Sequence, residues 1–264
     1  MSQKIAFNTA NLVARYSGYR FELKDWMEQD RITRQRTDER EWTAICREIA
    51  DAGYHAIEVW AAHLDPDQMT EDRAKRFRQI MDDHGLQPIG LSGTLNDATA
   101  CVCQWLGIPA CNGGYWNSTP EIVRRLLRTS GIRFHYENHP EKSAAEIRGY
   151  IEGLGEGAGA AIDTGWLGTQ GVDAPAAIRE LGPLVKHVHL KDVTRAGSHD
   201  TCPLGEGIVG IPAVVAALKQ VGYPGWYSWE DEPEDRNPMH IARNMREYIE
   251  GLVAEGQRTA RESP

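Results

Sequence analysis

Glu137, Asp163 and His189 follow one another at intervals of 26 residues, and each lies at the end of its own short apolar run. That interval fits one strand, one connection and one helix. The next such side chain, Glu230 in Trp-Tyr-Ser-Trp-Glu, comes 41 residues later, which fits one more unit with an enlarged loop. A chain that alternates strand and helix at this period has to build a mostly parallel sheet, because each crossover helix returns the chain to the same edge.

Following that pattern along the chain gives eight strands: Lys4 to Thr9, His55 to Trp60, Gln87 to Ser92, Ile108 to Asn112, Ile132 to Glu137, Gly159 to Thr164, Leu184 to Lys191 and Trp226 to Asp231. Helical stretches lie between them. Trp42, Ile45 and Ile49 recur at helical spacing after Asp38, and Gly53 stops that run. Others run from about Thr70 to His84, through Trp105, from Pro120 to Gly131, from Ser143, from Asp173, from Ile211 to Val221 and from Ile241 to Leu252. Ser143 with Glu146 predicts a capping box. Eight of each, in 264 residues, predict a single (β/α)₈ TIM barrel over residues 1–255. Residues 256–264 read as a polar, frayed tail. No Gly-x-Gly-x-x-Gly follows the first strand, which removes support for a dinucleotide fold.

One connection breaks the rhythm. Residues 10–37 place Tyr16, Tyr19, Phe21, Trp26 and Met27 among many charges, far beyond an ordinary strand-to-helix loop. Because it leaves the outgoing end of a barrel strand, it starts at the mouth, where long loops act as lids. The expectation is a cap with Tyr19 or Phe21 in the wall around a substrate. Its plain counterpart is a helix packed on the barrel rim or on a second subunit, so a homo-oligomer stays open.

Charge narrows the partners. Lysine and arginine total 29 against 38 acids, a net charge of −9 that repels polyanions and favours small molecules over nucleic acid. No apolar run is long enough to span a membrane and no signal-peptide core follows Met1, so the expected location is cytoplasmic. Five cysteines without a zinc or redox spacing read as reduced, structural thiols.

The seventh strand carries the sharpest chemistry. In His187-Val188-His189-Leu190-Lys191-Asp192 the polar His187, His189 and Lys191 share one face at period two, costly to bury unless something inside needs them. By the same parity Glu58 points inward from the second strand. Glu137, Asp163, His189 and Glu230 arrive from the fifth to eighth strands on one side of the mouth. Three carboxylates so close repel, and a divalent cation is the simplest remedy. A set of three oxygens and one nitrogen suits Mn²⁺ as the leading choice, with Mg²⁺, Co²⁺ or Zn²⁺ as alternatives.

Glu-Asn-His at 137–139, Asp-Thr-Gly at 163–165, His-x-His-x-Lys-Asp at 187–192 and Gly-Trp-Tyr-Ser-Trp-Glu at 225–230 resemble the sugar phosphate isomerase/epimerase family. This xylose-isomerase-like barrel superfamily includes inosose dehydratases, hydroxypyruvate isomerases, ketose 3-epimerases and endonuclease IV. The resemblance runs from roughly Lys4 to Leu252. It implies one divalent metal on Glu137, Asp163, His189 and Glu230, with Glu137 and Glu230 also moving protons beside the carbonyl of a carbohydrate substrate.

Two departures qualify it. Trp166 stands where ketose epimerases carry a substrate-contacting histidine, and Lys191-Asp192 is closer to the inosose-dehydratase form. Isomerase or epimerase is therefore the first expectation, and a dehydratase or keto-glycoside-eliminating lyase the second. An endonuclease IV type of hydrolase is opposed by the charge, and a non-catalytic sugar-binding barrel would leave the four ligands idle. Substrate-contact candidates are Glu58, His63, His139, Trp166 and Lys191. For Lys191 a salt bridge to Glu58 or Asp163 is the alternative, and for His139 the alternative is orienting Glu137.

Overall fold

A computed structural model describes the backbone of residues 4–259 and the side chains of residues 4–255. Ten strands occur in chain order: β1 (Ile5–Asn8), β2 (Ala56–Trp60), β3 (Gln87–Ser92), β4 (Ala110–Gly113), β5 (Arg133–Glu137), β6 (Ala158–Asp163), β7 (Val185–Leu190), β8 (Asp192–Val193), β9 (Thr201–Cys202) and β10 (Tyr227–Trp229). Eight of them close a parallel barrel in the order β1-β10-β7-β6-β5-β4-β3-β2, so β10 is the eighth barrel strand. The fold is the expected (β/α)₈ barrel. The short β8 and β9 pair antiparallel in the enlarged loop after β7.

Period two sorts the strands. Phe7, Ile57, Val59, Phe134, Val188 and Trp229 are wholly buried in the large apolar layer shared with the helices. Their neighbours Asn8, Glu58, His187, His189 and Ser228 are also buried, but pair with one another inside the barrel. A small apolar plug of Ala6, Ala56 and Ile89, with Trp226 against it, fills another part of the interior. Polar residues fill the rest.

The helices begin where their caps predict. Asp38 accepts from the Glu41 backbone N–H at 2.8 Å, Thr70 from Arg73 at 3.3 Å and Asp173 from Ala176 at 2.9 Å. Each such cap is worth about 1 kcal/mol. Ser143 accepts from Glu146 N–H at 3.2 Å, but the Glu146 carboxylate accepts from Lys142 rather than Ser143, so only half of the expected capping box forms. The last helix, Ala242–Thr259, continues past Gly256, where the sequence predicts a frayed tail to begin. Residues 260–264 of that predicted tail lie outside the described residues, as do residues 1–3.

Residues 10–37 fold as 3₁₀ turns at Thr9–Leu12, Arg15–Ser17 and Leu23–Asp25, then a helix, Trp26–Arg36. The segment has its own small core, in which Ala10, Val13 and Ala14 pack with Trp60 and Ala62, and Phe21 and Trp26 lie against them. Arg15 ties it to the next helix through Glu41 at 2.6 Å and Glu48 at 2.8 Å. Among the described residues no helix is long and apolar enough to cross a membrane. All five cysteines are free, with Cys103 and Cys111 facing each other across 3.6 Å.

Candidate metal centre

Glu137 ends β5, Asp163 ends β6, His189 is the penultimate residue of β7, and Glu230 follows β10 directly. Each offers one ligand atom, and these atoms lie within 4.8 Å of one another, all buried. Neighbouring residues explain the local motifs. Asn138 pairs with the Asp163 backbone like an extra strand, donating to its carbonyl and accepting from its N–H, both at 3.0 Å. Thr164 Oγ1 donates to the Lys191 carbonyl at 2.7 Å and accepts from its N–H at 3.0 Å. A Cβ on Gly165 would lie 2.5 Å from Lys191 Cγ, so only glycine leaves room for the lysine stem.

The carboxylates divide their oxygens. Asp163 Oδ1 accepts from Trp166 N–H at 2.9 Å, capping the short helix Thr164–Thr169, and Glu230 Oε1 accepts from Asn8 Nδ2 at 2.6 Å. Their other oxygens, Asp163 Oδ2 and Glu230 Oε2, are buried without a hydrogen bond. Lys191 Nζ lies 2.9 Å from each, as an ion pair whose angles miss hydrogen bonding, and donates instead to Glu232 Oε2 at 2.5 Å. Buried acceptors of this kind are costly unless something positive reaches them.

His189 is the fourth corner. Its Nδ1 lies 2.6 Å from Glu137 Oε1 and 3.4 Å from Glu230 Oε2, while Nε2 lies 3.0 Å from Glu58 Oε1. Burial alone would strip its charge, yet Glu230, Glu58 and Glu137 hold its pKa well above the usual imidazole value. Positive charge is thus strongly favoured where the carboxylates converge. Two carboxylate oxygens that lie against the Lys191 ammonium without a hydrogen bond, with Glu137 and an imidazole nitrogen, fit a divalent cation, with Glu58 orienting the ring from its far side. Burial likewise opposes the Lys191 charge, but Asp163, Glu230 and Glu232 hold its pKa well above the ordinary lysine value.

Below this cluster lies a second polar layer. Glu58 accepts from His187 Nε2 at 2.8 Å and Ser228 Oγ at 2.6 Å on one oxygen, and from Asn112 Nδ2 at 2.6 Å on the other. Burial would neutralise it, but His187 and His189 keep its pKa well below the usual range.

A cavity of about 590 Å³ opens above the cluster. Glu137, Glu230, His139, Trp166 and Lys191 line it; Glu58 and His63, also expected at the substrate, do not. Glu58 sits beneath the cluster. His63 falls on the short helix Ala61–Leu64, wholly buried between Trp42 and Trp60, with Nδ1 3.1 Å from Thr9 Oγ1. His139 lines the cavity with Nε2 4.0 Å from Glu137 Oε2. Lys191 takes the Asp163 salt bridge and not the Glu58 one.

The cap contributes to the wall, through residues other than those expected. Tyr19 packs on the main core with its hydroxyl 3.2 Å from Arg15 Nη1, and Phe21 backs Trp26; Leu23, Trp26 and Met27 face the cavity instead. Glu232 and His199 also line it, unforeseen from sequence. Burial and Glu230 hold the Glu232 pKa well above normal, and its backbone takes a left-handed φ of 52°, rare for such a residue. The one available signal was parity, since Glu230 and Glu232 are two residues apart.

A closed barrel with a buried acid-and-histidine quartet at the outgoing strand ends defines a class, the β/α barrels with a candidate metal site at the mouth. Residues 46–252 match the model of the xylose isomerase-like TIM barrel family, and the chain belongs to that family. It is similar to an inosose dehydratase 1 of Bacillus cereus, 25% identical over 162 residues, which cover 51% of this chain and 54% of that protein. The chain thus spans about half the length of the curated relatives it matches. Among solved structures, an L-ribulose 3-epimerase superposes with a TM-score of 0.70 at 18% identity, covering 100% of both chains. The IOLI protein with a binding zinc atom superposes at 0.66 with 14% identity, covering 96% of this chain and 99% of that one.

Proposed function

We propose that the chain is a cytoplasmic, divalent-metal-dependent enzyme that moves a proton next to the carbonyl of a polyhydroxy carbonyl compound, as an isomerase or epimerase. The observation that carries this reading is the placement of Glu137 and Glu230. Both reach the cavity floor, and both converge on His189 Nδ1, at 2.6 and 3.4 Å. Two carboxylates at one reacting centre supply an acceptor for the proton and a donor to return it.

Glu137, Asp163, His189 and Glu230 would hold the metal, with Mn²⁺ the leading candidate; the zinc carried by the IOLI protein supports a divalent ion in this kind of barrel. Bound there, the ion would supply Lewis-acid polarisation of the carbonyl, acidifying the neighbouring C–H. The chain's own residues do the rest. Asn8 fixes Glu230, Asn138 and Trp166 fix Asp163, and Lys191 keeps a positive charge beside the floor. Trp166 and His139 wall the substrate and exclude water.

A second reading is dehydration. Lys191 and Glu232 form a buried pair beside Glu230, and a carboxyl whose pKa is raised is suited to donating a proton to a departing hydroxyl. The sequence relatives named inosose dehydratase support it. Incubating the Mn²⁺-loaded protein in D₂O with inosose, ketoses and hydroxypyruvate, then identifying products, separates the two. Deuterium in recovered sugar shows proton abstraction under either reading; an epimerised or isomerised product supports the isomerase, and loss of water supports the dehydratase. Glu137→Gln and Glu230→Gln should each lower exchange by at least about a hundredfold. Undiminished exchange in both would remove them as the proton carriers.

A further inference from the structure

We infer that the substrate has two rings: an unphosphorylated keto sugar reacting over Glu137 and Glu230, joined to a second ring, glycosyl or aromatic, held in the outer half of the same cavity. This deepens the proposed function and rests on it. Three independent features of the cavity point the same way.

The first is room. One six-carbon sugar fills on the order of 200 Å³ at the packing density of organic crystals. The cavity is about 590 Å³, which leaves space for a second group of similar size above the floor.

The second is the wall. On one side Trp26, from the connection after β1, and Trp60, the last residue of β2, stand with ring centroids 5.3 Å apart. On the other a ladder of Trp116, His139, Trp166 and His199 runs at spacings of 5.0, 5.4 and 4.6 Å, from the connections after β4 to β7. In the closed strand order β1 lies across from β5 and β2 across from β6, so the two ladders face each other over the mouth. Met27 at 74% exposure and Trp116 at 67% are large apolar side chains left open to solvent, and both line this cavity. A cavity lined on both sides by aromatic side chains suits ring-shaped groups, whether the C–H face of a sugar or an arene.

The third is charge. Arg34 is held by Asp30 at 2.6 Å and Asp65 at 3.1 Å, and Lys191 by three carboxylates. Asp67, also at the lining, is a third carboxylate against Arg34 at 3.7 Å. No lysine or arginine of the lining is spare for a phosphate, which calls for charge-assisted donors.

Calorimetric titration with methyl β-D-glucopyranoside, phenyl β-D-glucopyranoside and cellobiose tests this without turnover. The phenyl glycoside or cellobiose should bind about tenfold more tightly than the methyl glycoside, the scale of one stacked ring face. Whichever gains more identifies the second ring as arene or sugar. Trp116→Ala, a change at an exposed side chain that leaves the fold intact, should remove most of that preference, and Trp26→Ala should do the same from the opposite wall. Equal affinity for all three probes, no binding of either two-ring probe, or a preference untouched by Trp116→Ala overturns the inference. Deuterium exchange on keto sugars separates the two claims. Absent exchange with the two-ring preference intact defeats the proposed function, whereas exchange without that preference defeats this inference alone.

Discussion

Two polar layers are stacked inside the barrel, and they differ in how well they are satisfied. In the lower one, Glu58 accepts from His187, Ser228 and Asn112, and Asn112 Oδ1 lies 2.7 Å from His135 Nδ1, so the polar side chains of this layer answer one another. In the upper one, Asp163 Oδ2 and Glu230 Oε2 are buried with no hydrogen bond and lie against the Lys191 ammonium at 2.9 Å, and Glu230, Glu58 and Glu137 hold the His189 pKa well above its usual value against burial. Both layers use the same residue types at the same strand parity. Composition alone therefore does not mark a site; carboxylates that converge without hydrogen-bond donors do. A satisfied network rigidifies, while an unsatisfied one is poised for a ligand.

Removing the connection between the layers should give the largest effect. Glu58→Gln keeps the shape but takes the charged acceptor from His189 Nε2, and metal affinity should fall about 10–100-fold, as for other groups that orient a metal-bound histidine. Competition with a fluorescent chelator measures this. An unchanged dissociation constant would mean the lower layer does not tune the upper.

How much of this was legible in the sequence follows from geometry. Glu137, Asp163, His189 and Glu230 sit at or beside strand ends, where period two and the 26-residue interval determine both the face and the level, so their convergence could be read directly. His63, Tyr19 and Phe21 sit in irregular connections. There no period says which way a side chain points, and all three turned into packing rather than the cavity. Gly207 shows what a loop conceals: a Cβ there would strike Asp192, whose carboxylate gathers the backbone N–H groups of Gly205, Gly207 and Val209 and so shapes the loop after β7. Asp192, which entered the sequence reading only as part of the Lys191-Asp192 motif, holds a turn.

A smaller effect concerns buried histidines away from the centre. Burial, with Arg15 adding, holds His63 down at about 3, and burial, with His187 next, does the same for His135. Their ordinary value is 6.5, so below that pH the unfolded chain takes up protons that the folded chain refuses. Stability is therefore full above pH 6.5 and is lost as pH falls towards 3, by up to about 1.4 kcal/mol per pH unit for each histidine. Urea midpoints at about pH 7, 6 and 5 should show this acid limb, and His63→Asn should flatten it by about one proton. The same slope in the variant would show that His63 titrates normally.

The metal proposed for this barrel belongs to the upper layer and not to the lower. His187 and His189 lie two residues apart on the same face of β7, both buried and both bonded to Glu58, yet only His189 joins the three carboxylates of Glu137, Asp163 and Glu230. Metal content after Mn²⁺ loading and dialysis decides it. The account predicts one ion per chain in the wild type, close to one in His187→Ala, and essentially none in His189→Ala. Equal content in all three proteins, or loss in His187→Ala with retention in His189→Ala, would contradict it.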